Sequence, residues 1–469
     1  MPLKIALPKG RLLRKTSALL QQAGWGLDEY HSRISFYHPK SQRFPRLLIK
    51  VLHEKDIPIQ LAVGNYDLGV CGLDWVEELL AKYPSSALVK VKDLGYGRGA
   101  LYVAAGRNGR SKDGNGVIRI ASEYANIAES YALRNRLRRF SIFPVWGAAE
   151  AYPPENAELS LVSARTEEEV GGYGMDVVSK VLNFSAFLIA NRNSWKRKNM
   201  GAVVSSICDE AVFKEKKSAV KAASVTPPSP EPSRRGESGN EVVTIALPDG
   251  HQQEPAVRLL NKAGIQLENY PSESGCRRPE IISMDGFAVK VIRPQDMPLQ
   301  VANGNFDLAL TGRDWVKEHR YQFPSSPVTE LLDLGFGRVR MVAVVSQDLA
   351  VDGVASLRQL VGERNMPLRV ASEYVNIADG YARENRLGPY RVIPTWGATE
   401  AFLPDDADML IENTETGRTI ARHNLKIIDT LFESTACLIG NDNISSSPAK
   451  KERVQSLVAA LAKALESDN

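Results

Sequence analysis

Residues 412–420, Glu-Asn-Thr-Glu-Thr-Gly-Arg-Thr-Ile, have the residue types that a phosphate site needs. Hydroxyls at Thr416 and Thr419 bracket Gly417 just ahead of an expected helix. Backbone amides, hydroxyls and a helix dipole would converge there on one anion. Taken alone, a Thr-Gly-x-Thr is most often a turn and a helix cap, so the neighbouring motifs must carry the reading. Near the N-terminus stand Lys9, Gly10 and Arg11, followed by Arg33. These three cations suit clustered anionic oxygens. A third stretch, Asp333 to Arg338, places Gly335, Phe336 and Gly337 before Arg338 and Arg340.

Nearly everything around these motifs occurs twice. KIALPKG at 4–10 returns as TIALPDG at 244–250, and DLGYGRG at 93–99 as DLGFGRV at 333–339. RIASEYANIAESYA at 119–132 returns as RVASEYVNIADGYA at 369–382, and PVWGAAEAY at 144–152 as PTWGATEAF at 394–402. The second copy carries a short insertion near 346–367. The repeat is far too long for a solenoid and reads as a duplicated domain. The expected organisation is a first copy at 1–215, a Pro/Ser-rich linker at 216–241, a second copy at 242–445 and a C-terminal amphipathic helix at 446–469. The linker composition cannot bury a core.

Within each copy, short apolar runs alternate with helix-like segments. KIAL, LLIKVL, YDLGVCG, LYVAAG, VIRIAS and SAFLIAN read as strands, and LLRKTSALLQQAG and NIAESYALRNRL as helices. This alternation predicts an α/β fold with a largely parallel sheet. Ligands in such folds sit at the carboxyl ends of strands, beside helix N-termini. All three motifs above are expected there.

Bulk properties exclude several classes. The 469 residues hold 43% hydrophobic side chains and a net charge of only +4, which argues against nucleic-acid binding by bulk charge. No stretch approaches the ~20 apolar residues of a membrane span. The N-terminus MPLKIALPKGRLLRK lacks a secretory signal's apolar core. Cys71, Cys208, Cys276 and Cys437 form no Cys-x-x-Cys pair, and the six histidines show no metal-ligand spacing. A soluble cytoplasmic protein is expected.

The stretches LPKGRL, VIRPQDMPLQVANGNFDLALTGRDW, DLGFGRVRMVA, RVASEYVNIADGYA and ENTETGRTI, in this order, resemble ATP phosphoribosyltransferase of histidine biosynthesis. The resemblance covers nearly all of both copies except the linker and the last helix. It implies a two-lobed α/β unit similar to type II periplasmic binding proteins. The implied activity is transfer of phosphoribose from phosphoribosyl pyrophosphate (PRPP) to N1 of ATP. By the same resemblance, Glu412, Thr414, Glu415, Thr416, Gly417, Arg418 and Thr419 would bind PRPP. Lys9, Arg11 and Arg33 would stabilise the leaving pyrophosphate together with Mg²⁺ carried by the substrate. Asp333, Gly335, Phe336, Gly337, Arg338 and Arg340 would form the ATP wall. The sequence departs from the family at Glu412, where Asp is usual, and at Glu123 and Glu373, where Lys is usual. It also has Trp-Gly-Ala at 146–148 and 396–398. Short-form members of the family pair with a regulatory subunit related to histidyl-tRNA synthetase, and this chain resembles them.

The two copies have complementary losses. Thr416-Gly417-Arg418-Thr419 faces Thr166-Glu167-Glu168-Glu169 in the first copy, so three carboxylates replace Gly, Arg and Thr. Two charges about 5 Å apart at an effective dielectric near 20 interact by roughly 3 kcal/mol, more than one hydrogen bond returns. Conversely, Lys9, Arg11 and Arg33 face Asp249, His251 and Glu273. The expectation is an internal pseudo-dimer with one live PRPP site, its loop from the second copy and its cations from the first. The other pairing would be strongly acidic and inert. Such a pseudo-dimer can oligomerise further. Two other classes stay open: a non-catalytic regulatory paralogue that binds PRPP or nucleotide, and a cytoplasmic solute-binding module.

Overall fold

The computed structural model describes residues 2–31, 37–107, 116–209, 242–271, 276–364, 366–442 and 447–466. The expected linker at 216–241, Arg33 and Glu273 lie outside them. The chain forms two tandem copies of a two-lobed α/β unit. By compactness, residues up to 144 with 153–209 and 395–402 group together, and residues 145–152, 242–394 and 403–466 form the other group.

In the first copy, one lobe is a five-stranded sheet in the order Leu48–His53, Lys4–Lys9, Leu68–Gly72, Ala186–Asn191, Leu88–Asp93. The first three strands run parallel, and Ala186–Asn191 runs antiparallel to both its neighbours. The other lobe orders Phe140–Pro144, Ile118–Ser122, Leu159–Ala164, Gly99–Gly106 and Met175–Phe184. The second copy repeats this with Phe287–Ile292, Val243–Pro248, Leu308–Gly312, Ala436–Asn441 and Val328–Asp333 in one lobe. Tyr390–Pro394, Leu368–Ser372, Met409–Thr414, Val339–Ser346 and Leu425–Ser434 make the other.

The expected strands and both expected helices are present, the helices as Leu13–Gln22 and Ala125–Arg134. Central strands such as Leu68–Gly72 and Leu308–Gly312 are buried at every position, which is why they read as continuous apolar runs. The sheets are mixed, however, where a largely parallel sheet is expected from the sequence. In each copy the chain leaves the first lobe, builds the second and returns. The returning strand enters the middle of the first sheet from the opposite end and so runs antiparallel.

The two crossings lie side by side. In the second copy Leu334 N–H donates to the Ala436 carbonyl and Ala436 N–H to the Phe336 carbonyl, both at 2.9 Å. The insertion of the second copy contributes the helix Val354–Gly362. The last helix, Pro448–Glu466, buries Leu457 and Leu461 in a core shared with Leu259 and Leu260 of helix Gln253–Lys262. It packs on the second copy as an ordinary amphipathic element.

Candidate functional site

Strand Met409–Thr414 delivers the phosphate-type loop, and the short helix Arg418–Arg422 follows it. Buried Ile420 anchors the turn, while Glu415, Thr416, Arg418 and Thr419 are exposed. Gly417 caps the helix with φ at 72°, a left-handed conformation that costs any side chain roughly 1 kcal/mol. Gly417 itself supplies no side-chain cap. Thr414 Oγ1 accepts from Gly417 N–H at 3.0 Å, and Thr416 Oγ1 accepts from Arg418 N–H at 3.4 Å. The turn is thus held from within, while Thr416 and Thr419 stay exposed. Glu412 lies within the strand, paired with Val342. Its neighbour Asn413 donates to Tyr374 Oη at 2.7 Å, and Tyr374 donates to the buried Asp314 at 2.6 Å.

The same turn in the first copy is closed on itself. Thr166 has φ −140° and its hydroxyl accepts from Glu169 N–H at 3.3 Å. Glu169 Oε2 in turn accepts from Arg165 N–H, the residue before the cap, at 2.7 Å. Tyr173 adds its hydroxyl to Glu169 Oε1 at 3.1 Å. Glu169 therefore occupies the Arg165 N–H and the Tyr173 hydroxyl, in addition to repelling an anion by its charge.

Lys9 ends the strand Lys4–Lys9, donates to Tyr37 Oη at 3.0 Å and stands 5.1 Å from the centre of that ring. Arg11 is differently placed. Its Nε donates to Glu54 at 3.0 Å and its Nη2 to Asp74 at 2.6 Å, and Asp74 also accepts from Tyr124 Oη at 2.8 Å. The Arg11 donors are thus committed to two buried carboxylates of its own lobe. Removing the guanidinium would leave those carboxylates uncompensated, so Arg11→Ala is expected to lower stability by about 3 kcal/mol. Urea unfolding of the variant checks this.

Burial pushes the Glu54 carboxyl up to about 7 in spite of Arg11. The folded state then holds a proton that the unfolded chain releases near 4.5. This group's contribution to stability is complete below pH 4.5 and is lost as pH rises to about 7. Glu54→Gln should flatten that slope in urea midpoints measured from pH 4 to 8.

In the second copy Asp249 replaces Lys9, but it is not a bare acid. Arg277 Nη1 meets it at 2.6 Å and Arg293 Nη1 at 3.5 Å, and Arg277 also holds Glu150 at 2.9 Å. Burial pushes the Asp249 carboxyl up, but Arg277 and Arg293 outweigh it and hold the group below its usual range. The strongly acidic second site expected from sequence is therefore corrected at this position. Arg277 stands where the first copy has Tyr37, and Arg293 where it has His53. The exchange is legible once the copies are aligned through those residues.

The segment Asp333–Arg338 is the crossing between the lobes of the second copy. Asp333 accepts from Thr435 Oγ1 at 2.7 Å and from Gly335 N–H at 3.0 Å, and pairs with Arg313 at 3.2 Å. Gly335 and Gly337 take φ of 70° and 63°, which lets the chain reverse between the two sheets. Phe336 packs partly buried against the first-lobe core. Arg338 is exposed, 3.9 Å from Glu433. Arg340 pairs in the ladder with Thr414, which sets it beside the phosphate-type loop.

Among the described residues, no helix is long and apolar enough to cross a membrane, and no group of three or more His, Cys, Asp or Glu is placed to hold a metal.

Each copy is thus a two-lobed α/β unit, and in the second copy a glycine-turned loop leaves the end of strand Met409–Thr414. The sequence profile of ATP phosphoribosyltransferases matches residues 53–210 and 293–463. An ATP phosphoribosyltransferase of Pelodictyon phaeoclathratiforme is 33% identical over 230 residues, covering 48% of this chain and 72% of the relative. ATP phosphoribosyltransferase 1 of Geobacter sulfurreducens is 32% identical over 230 residues, covering 48% of this chain and 73% of the relative. The solved HisG:HisZ ATP phosphoribosyl transferase complex of Thermotoga maritima aligns over 48% of this chain and 100% of its own, at 23% identity and a TM-score of 0.40. The chain belongs to the ATP phosphoribosyltransferase family.

Proposed function

We propose that this chain, the product of a tandem duplication, transfers 5-phosphoribose from Mg²⁺-bound PRPP to N1 of ATP. The products are phosphoribosyl-ATP and pyrophosphate, in the first step of histidine biosynthesis, with one working PRPP loop per chain. The observation that carries the reading is the contrast between the turns. Gly417 brings no side chain to its turn, whereas Glu169 reaches back to close the equivalent turn on itself.

In this proposal the 5-phosphate lies on the turn at 416–419, with the Thr416 and Thr419 hydroxyls donating to it. Glu412 and Glu415 engage the ribose hydroxyls and face the positive charge that develops at the ribosyl carbon. The bond from that carbon to pyrophosphate breaks as adenine N1 attacks from the opposite side. N1 is nucleophilic without a base, so orientation and charge stabilisation supply the rate. Lys9 and Arg33 of the first copy are assigned to the leaving pyrophosphate, beside its Mg²⁺. Arg11, committed to Glu54 and Asp74, is assigned to holding the Lys9 turn. Arg338 and Arg340 are assigned to the ATP triphosphate. A regulatory subunit related to histidyl-tRNA synthetase, a cytoplasmic location and further pairing of whole chains are part of the proposal through the family resemblance.

The test is an assay of the purified chain with ATP, PRPP and Mg²⁺. The proposal requires pyrophosphate and a product one phosphoribosyl group heavier than ATP in equal amounts, and nothing when either substrate is omitted. Binding of PRPP with no product, in the presence or absence of a co-expressed regulatory subunit, would instead favour a non-catalytic paralogue.

A further inference from the structure

The groove between helix Leu73–Lys82 and helix Ala125–Arg134 in the first copy has a counterpart in the second that is filled. There the Tyr321 ring lies so near Gly380 that an added Cβ would sit 2.4 Å from it. The Tyr321 hydroxyl reaches Glu384 at 3.4 Å, and Tyr381 donates to Asp429 at 2.9 Å. Lys317 Nζ covers the Phe432 ring 3.6 Å from its centre. The first copy has Ala81 in place of Tyr321 and Ser130 in place of Gly380. A large-small pair has become a small-small pair, and a cavity of about 510 Å³ is left. That volume lies within the ~300–1,000 Å³ of small-molecule sites.

The charge has changed as well. Arg134 stands where the second copy has Glu384, and Lys180 where it has Thr430. Arg134 lines the cavity and pairs with no carboxylate among the described residues. The nearest carboxylate to Lys180 is that of Glu167 at 3.9 Å. The acid in the lining, Glu77, is already paired with Lys90. Leu80, Ala81, Ile127 and Val181 supply an apolar wall beside these cations.

We propose that this cavity is a binding site for a small organic anion, one with a flat apolar body and a carboxylate or phosphate at one end. The body lies on the Leu80, Ala81 and Ile127 wall, and the anion meets Arg134 and Lys180. The cavity spans the lobe boundary, since one helix belongs to the first lobe and the other to the second, so its occupant contacts both lobes of the first copy. The site shares no residue with the PRPP loop and does not depend on the activity proposed above.

Sodium benzoate is a suitable probe, titrated into the full chain and followed by ligand-observed NMR. Saturable binding with Kd near 1 mM or tighter is expected for so small a molecule. Ala81→Tyr with Ser130→Gly rebuilds the filled groove of the second copy and should abolish it. Arg134→Glu, at an exposed position, should weaken it at least ~10-fold, as loss and reversal of a charge partner implies. Gly417→Glu should leave it unchanged. Absence of saturation in the wild type, or equal binding by a folded Ala81→Tyr/Ser130→Gly variant, would overturn the proposal. Benzene should bind at least ~10-fold more weakly than benzoate if the cations define the site, and equal binding would likewise overturn the anion assignment.

Discussion

Gly417→Glu is expected to reduce kcat/KM for PRPP by at least ~150-fold while the chain stays folded. Two effects combine in one direction. A side chain at φ 72° strains the turn, and a carboxylate there faces the substrate phosphate. One such repulsion at about 5 Å and an effective dielectric near 20 is worth roughly 3 kcal/mol, which is the ~150-fold loss. Gly417→Ala separates the two, since it keeps the strain without the charge, and should lose only ~10-fold or less. The mirror experiment is Glu168→Ala in the first copy. That residue is exposed in a turn already closed by Glu169, so kcat/KM should stay within about twofold of wild type. Steady-state kinetics with PRPP varied at saturating ATP measures all three.

Lys9→Ala should be the second large loss, about 10²–10³-fold in kcat, the scale of removing one preorganised partner of a developing anion. Its ammonium is held by the Tyr37 hydroxyl and ring, so it needs little reorganisation to receive an anion. The equivalent change in the second copy, Asp249→Asn, should alter kcat by less than about threefold. Its consequence is local: Arg277 keeps Glu150 but loses half its carboxylate shell, so a modest fall in stability is expected. A chain in which both substitutions cut kcat equally would have two equivalent sites, contrary to the division of labour proposed here.

Local features were the most readable from sequence. Strands such as Lys4–Lys9 and helices such as Leu13–Gln22 follow directly from apolar spacing. Gly417 was legible because only one residue type tolerates its conformation easily. Features that depend on partners distant in the chain were less so. Arg11 reads as a free cation in LPKGR, yet its partners Glu54 and Asp74 lie 43 and 63 residues away. The DLGFGR stretch reads as a binding turn. Its role as the crossing between lobes emerges only when Val328–Asp333 and Val339–Ser346 are seen in different sheets. The same holds for the antiparallel strand Ala436–Asn441, whose direction is set by the return from the second lobe. Asp249 reads as a bare acid in LPDG, yet it is paired with Arg277 and Arg293 farther along the chain.

The most direct test of the central claim is the number of PRPP molecules bound per chain, measured by calorimetric titration with Mg²⁺ present. The asymmetry between the Gly417 turn and the Glu169-closed turn predicts one per chain, falling to none in Gly417→Glu. Two per chain would mean that the first-copy turn opens to bind despite the Glu169 hydrogen bonds that close it, and would contradict the single-site account.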